Sequence, residues 1–122
     1  MDFKQSKPIF LQIADRIMDE ILMGVYHEEE RIPSVREYAA KVEVNANTVV
    51  RSYDYLQQTG IIYNKRGIGY FVAGDARKKI VSMLKDAFVN EYLPEMFRQM
   101  SLLRISLEEM KKMLDEHYAN RQ

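Results

Sequence analysis

Residues 42–60 read VEVNANTVVRSYDYLQQTG and divide into two faces once wound into a helix. On a helix that begins after Asn45, Val49, Tyr53 and Leu56 fall at i, i+4 and i+7 and form one apolar stripe. Asn47, Thr48 and Arg51 fall at i, i+1 and i+4 and form a separate polar patch at the helix N-terminal end. The stripe is expected to enter a core and the patch to face solvent. Asn45 suits the N-cap, because its side-chain oxygen can accept from an amide of the first turn, and Gly60 suits the stop.

Upstream, Ile9, Phe10, Ile13, Ile17, Ile21 and Leu22 recur at helical spacing behind Pro8, a residue suited to a first helical turn, and this helix should end near Gly24. VYHEEERIPS then reads as an acidic, solvated turn. The Ser34 hydroxyl can cap a short second helix from about Val35 to Lys41, and Glu43-Val44 makes the turn into the third. Downstream, IIYN and GYFV are rich in β-formers and flank Lys65-Arg66-Gly67-Ile68-Gly69, whose glycines permit the positive backbone angles of a tight connection, so a β-hairpin is expected.

From Asp75 helical periodicity returns with Ile80, Leu84, Phe88, Tyr92, Met96 and Met100. Ser106 to Glu109 then spells a capping-box start for a last helix carrying Leu107, Met110, Leu114 and Tyr118. Pro94 lies inside the first of these two helices, where it removes the hydrogen bond to the Asn90 carbonyl. A kink rather than a break is expected, because the apolar stripe continues in phase on both sides.

With 122 residues and 47% hydrophobic content the chain fits one compact domain, or a small domain with an appendage, and a two-domain enzyme does not fit. The 18 basic and 18 acidic residues cancel, so overall charge favours no partner. Locally, residues 31–72 hold six basic groups against three acidic ones, whereas residues 1–30 hold three against seven, which makes the middle segment a modest attractor for an anion. No cysteine is present, which removes disulfides, thiolate catalysis and cysteine-ligated metal. His27 and His117 make no spaced metal site, and no cofactor is expected. No nucleophile elbow, phosphate loop or paired-carboxylate signature appears, so no enzyme is expected. Asp15, Arg16, Asp19 and Glu20 interrupt the first apolar run, which is neither a signal peptide nor a membrane span, and a cytoplasmic location is expected.

Helix, helix, turn, helix and then a hairpin with a basic, glycine-rich tip is the winged helix-turn-helix arrangement. In such a module the N-terminal end of the third helix enters the DNA major groove. An asparagine can pair bidentately with adenine, a threonine can meet a base, a phosphate or a thymine methyl, and an arginine can fork onto guanine or grip phosphate. Arg36 at the start of the second helix, Arg51 on the third and Lys65-Arg66-Gly67 at the hairpin tip would then straddle a groove.

PSVREYAAKVEVNANTVVRSYDYLQQTGIIYNKRGIGYFV resembles the winged helix-turn-helix of the GntR family of bacterial transcription regulators, and PIFLQIADRI is similar to the start of the same family. The N-x-N-T-V-x-R-x-Y form of the third helix, with a short two-helix tail, most resembles the YtrA-like subfamily. The resemblance implies binding to double-stranded operator DNA as a homodimer, usually as a repressor at a roughly palindromic site, with control by a small-molecule effector in general. The family's DNA-contacting places fall on Arg36, Asn45, Asn47, Thr48, Arg51, Lys65, Arg66 and Gly67. Ala46 stands where the subfamily often has proline and many relatives arginine, and Val50 replaces an arginine common in the wider family. Both remove potential contacts, so no base preference carries over.

The fold class is therefore mainly α, with a winged helix-turn-helix DNA-binding domain (three helices and a β-hairpin) over residues 1–73 and a two-helix dimerisation tail over 74–122. The tail is too short to enclose its own core. Its stripe, formed by Ile80, Leu84, Phe88, Tyr92, Met96, Met100, Leu107, Met110 and Leu114, is expected to pack on a second copy, with packing on the first helix of the same chain as the other arrangement. A winged-helix adaptor that binds protein instead of DNA is the competing function.

Overall fold

A computed structural model describes residues 7–121. The described residues run α1 (Ile9–Leu22), α2 (Val35–Val42), α3 (Ala46–Gln58), β1 (Ile62–Lys65), β2 (Gly69–Val72), α4 (Ala76–Ala87), a π-helical turn (Phe88–Tyr92), α5 (Leu93–Leu103) and α6 (Leu107–Ala119). They form two compact units, the first ending at Met83 and the second beginning at Leu84.

In the first unit each helix is stopped as its sequence dictates. Gly24 takes a φ of +84° just beyond α1, and Gly60 a φ of +77° just beyond α3. α2 begins with a full capping box: the Glu37 amide donates to Ser34 Oγ at 3.1 Å, and the Ser34 amide donates to the Glu37 carboxylate at 2.8 Å. Between α2 and α3, Glu43 adopts the left-handed conformation at φ +57°. The core collects Ile13, Ile17, Met18 and Ile21 from α1, Tyr38 from α2, Val49, Tyr53 and Leu56 from α3, and Ile62 and Val72 from the hairpin. Burial of side chains of this size contributes roughly 1.5–3 kcal/mol each, against the entropy of ordering them.

β1 and β2 pair antiparallel, Ile62 opposite Val72 and Lys65 opposite Gly69. The backbone of residues 29–32, expected from the sequence to form only an acidic turn, also pairs with β2. The Glu29 amide donates to the Val72 carbonyl, the Val72 amide to the Glu30 carbonyl and the Ile32 amide to the Tyr70 carbonyl, at 2.8 to 2.9 Å. Glu30 is not simply solvated, since its carboxylate accepts from the His27 amide at 2.8 Å.

The division between units falls later than the expected boundary after residue 73, because the first turns of α4 belong to the first core. Ala76 and Ile80 are fully buried there, and Arg77 Nη1 donates to the carbonyls of Ile21 and Leu22 at the end of α1, at 2.9 and 3.1 Å. Ile80 is thus a core residue of the first unit and not part of an open stripe, a correction to its expected place at a dimer interface.

In the second unit the π-helical turn ends two residues before Pro94. The Leu93 amide reaches back to the Phe88 carbonyl, and the helical path resumes at once in α5. The widened turn absorbs the missing proline N–H, so the helix is neither sharply broken nor regular. α6 starts from Ser106, whose hydroxyl accepts from the Glu109 amide at 3.0 Å. The capping box is only half formed, because the Glu109 carboxylate accepts from the Ser106 hydroxyl and not from its backbone amide.

Ile80→Ala should lower unfolding stability by about 2–5 kcal/mol in urea titration, as expected for a filled core site, whereas truncation of the exposed Met23 in Met23→Ala should change it by less than about 0.5 kcal/mol. Similar effects from the two would place Ile80 outside the core.

Candidate nucleic-acid interface

The α3 tip is built by its cap. Asn45 Oδ1 accepts from the Asn47 amide at 2.7 Å, which commits that oxygen to the helix and leaves the side-chain NH2 as the group available to donate. Asn45, Ala46 and Asn47 are exposed, and Thr48 is half-buried. Val49 is 0% exposed and Val50 40%, so the inward stripe and the outward patch separate within one residue. Arg51 is exposed and its guanidinium carbon lies 4.1 Å from the centre of the Phe10 ring on α1. Ser52, fully buried, donates to the Phe10 carbonyl at 2.6 Å and fixes α1 against this turn of α3.

At the start of α2, Arg36 is exposed beside the capping box. Glu37 is held below its ordinary carboxylate value, first by the Ser34 backbone amide, then by the Ser34 hydroxyl, with a smaller pull from the positive charge of Arg31.

At the hairpin tip Lys65, Arg66, Gly67 and Ile68 are exposed, and Gly67 adopts a φ of +80°. Lys65 Nζ lies 4.5 Å over the Phe71 ring, which in turn stacks on Tyr63. A Cβ on Gly69 would come within 2.8 Å of Arg31 Nε, so the absence of a side chain there lets Arg31 lie across the tip end of the hairpin, where Gly69 pairs with Lys65. Arg31 and Phe10 are neighbours of the site that sequence spacing did not single out. Arg31 was visible only as one of six local cations, and Phe10 only as an apolar helix position.

The cations of this unit fall into two groups. Lys41 pairs with Glu20 at 3.5 Å and with the Tyr26 hydroxyl at 3.2 Å, Arg77 caps α1, and Lys79 pairs with Asp75 at 3.3 Å. For Arg36, Arg51, Lys65 and Arg66, the four cations assigned to DNA from the sequence, no ion pair with a carboxylate is found among the described residues, and the same holds for Arg16, Arg31 and Lys78.

The model of the bacterial regulatory proteins of the gntR family matches residues 10–72, more than half of the chain and the whole of this constellation. The chain belongs to the GntR family. It is 41% identical over 108 residues to the uncharacterized HTH-type transcriptional regulator YhcF of Bacillus subtilis (strain 168), covering 88% of each chain. It is 29% identical to the HTH-type transcriptional repressor YtrA of the same organism, covering 95% of this chain and 88% of YtrA. A GntR-family transcriptional regulator structure from Bacteroides thetaiotaomicron is 54% identical with a TM-score of 0.79, covering 94% of this chain and 100% of that one. The AraR DNA-binding domain solved with operator ORR3 is 27% identical with a TM-score of 0.52, covering 54% of this chain and 80% of that one. This GntR-family chain is therefore a helix-turn-helix transcriptional regulator with the fold of its relatives.

In the second unit of the GntR-family chain, Leu84, Phe88, Tyr92, Met96, Leu107 and Leu114 are exposed, with Leu107 at 80%, and Met100 and Met110 are half-buried. Phe88 and Tyr92 stack with ring centres 5.9 Å apart. The depression lined by Glu109, Lys112, Met113 and Glu116 lies largely open to solvent along α6. No helix among the described residues is long and apolar enough to cross a membrane.

Because Glu37 is depressed in the folded state, its contribution to stability is complete above its unfolded value near 4.5 and is lost as pH falls through the lower folded value. A carboxyl NMR titration should give a Glu37 midpoint below 4.5 in the native protein and a higher one in Ser34→Ala, which removes the side-chain share of the lowering. An unshifted midpoint in the native protein would contradict the capping box.

Proposed function

We propose that this regulator is a dimeric, sequence-specific DNA-binding repressor that acts in the cytoplasm at a roughly palindromic operator. The observation that carries the reading is the exposed, amide-rich tip of α3 in the same compact unit as an exposed basic hairpin tip, α3 being packed on the hairpin through Tyr53 and Tyr70. Asn47 and Thr48 would meet base edges and Asn45 would offer its amide group. Arg36, Arg51, Lys65 and Arg66, with Gly67 giving close backbone approach, would meet phosphates or the neighbouring groove. The AraR complex supports this docking, because a related domain is there bound to an operator. The repressor sense follows YtrA, whose name carries it.

Dimerisation is supported by the apolar side chains of the second unit, which stand open in a single chain. Leu84, Phe88, Tyr92, Met96, Met100, Leu107, Met110 and Leu114 would cover one another across a two-fold axis. Two reading heads on one duplex then multiply weak half-site contacts through effective concentration.

Genomic fragments retained by the purified chain, once sequenced, should share a motif with two-fold symmetry. On that duplex Asn47→Ala should cost about 1–3 kcal/mol of binding, and the double variant Lys65→Ala, Arg66→Ala should weaken binding to any duplex. Retention of no duplex, or unchanged binding in all these variants, would exclude this face as the DNA interface. Phe88→Asp with Leu114→Asp should move the chain from dimer to monomer mass in light scattering, and a monomeric native chain would exclude the dimer.

A further inference from the structure

Arg51 lies a full helical turn beyond Asn47, and its guanidinium is drawn toward α1. It is laid over the ring of Phe10, a residue of α1, at 4.1 Å. At that distance the ring quadrupole attracts the cation and covers one face of the guanidinium plane, so the N–H edge is what remains for an anion. The arrangement is pinned by a bond independent of either side chain: the buried Ser52, the next residue on α3, donates to the backbone carbonyl of Phe10 at 2.6 Å. α1 therefore carries Phe10 to a fixed position beside Arg51, whatever the arginine binds. No carboxylate among the described residues forms an ion pair with Arg51.

Base edges in helix-turn-helix modules are read by residues at the N-terminal end of the recognition helix. A guanidinium further along, drawn sideways onto a different helix, suits the wall of such a groove better than its floor. We infer that Phe10 is a positioning residue that holds Arg51 as a sequence-independent clamp on a DNA phosphate, not as a reader of guanine. The inference rests on the proposed DNA face and assigns its arginine a chemistry.

The two roles separate in solution. With the full chain, a duplex selected from genomic DNA and a shuffled duplex of equal length and composition, Arg51→Ala should lower affinity about tenfold on both. It should also reduce the steepness of the log K against log salt plot by about one. Phe10→Leu should lower affinity about threefold, and that loss should vanish in the Arg51→Ala background, because Phe10 acts through the arginine. Phe10→Tyr, which keeps an aromatic face, should restore binding, and thermal unfolding of each variant identifies any that fails to fold.

A loss confined to the selected duplex would make Arg51 a base reader and overturn the inference. So would a Phe10→Leu penalty of equal size in both backgrounds, since the ring would then act through the fold alone. Unchanged binding in Arg51→Ala, with Asn47→Ala still weakened, would overturn the clamp and leave the DNA face standing. Unchanged binding in Asn47→Ala and in the Lys65, Arg66 double variant as well would remove the face itself.

Discussion

Tyr53 is buried where α2, α3 and the hairpin meet, and its surroundings set how α3 is turned about its own axis. Its ring packs edge-on against Tyr70 of β2 with centres 4.9 Å apart and tilts against Tyr38 of α2 at 6.4 Å. Its hydroxyl donates to the Pro33 carbonyl at 2.6 Å, just ahead of α2. Burial holds the Tyr53 phenol well above its ordinary value, and does the same to Tyr38, which donates to Glu20 at 2.7 Å, so both remain donors in the native range. A helix advances 100° per residue, so fixing one inward side chain fixes the direction of the rest. With Tyr53 inside, Val49 and Leu56 must also be inside, and positions 47, 50, 51 and 54 must look out. The exposed tip is a consequence of the core.

The same economy governs the charges. Lys41 is held by Glu20, Tyr26 and the faces of Tyr26 and Tyr38, and Arg77 by two carbonyls at the end of α1. These cations join elements of the fold. Arg51 and Lys65 are instead backed by aromatic rings, a support that orients a cation without neutralising it. An arginine neutralised by a carboxylate would have to exchange that partner for phosphate and lose much of the gain, whereas one resting on a ring keeps its full charge for the incoming anion.

The elements of the first unit were legible in the sequence because each carries a local signal. The stripe of Val49, Tyr53 and Leu56, the Ser34 and Asn45 caps and the glycine-bounded hairpin all act within a turn or two of chain. What escaped reading is non-local. Residues 29–32 pair with β2 through backbone groups, and an acidic run with no β-rich composition gives no hint of it. Phe10 reaches Arg51 across 41 positions, and Arg31 lies across Gly69 from the far side of α2 and α3. Ile80 kept perfect phase with the tail stripe and yet belongs to the first core, because periodicity tells which face of a helix is apolar and not which partner covers it. Pro94 marked the place of the irregularity, but its form, a π-helical turn placed before the proline, depends on how the displaced carbonyls find donors.

A chain with no net charge that acts on a polyanion must work through short-range fields. At physiological ionic strength the screening length is about 8 Å, so charges further apart than that barely sense one another. The acidic excess of residues 1–30 then costs little at a duplex surface, provided those carboxylates stay outside that range of the phosphates, and the few cations at the face act almost alone. Few phosphate contacts mean a shallow salt dependence and weak attachment for one module. On the proposed reading the apolar side chains of the second unit are what makes such a module sufficient: joining two of them raises the local concentration of the second once the first is bound, so sequence preference from a handful of amide and hydroxyl contacts is expressed twice over without any increase in total charge.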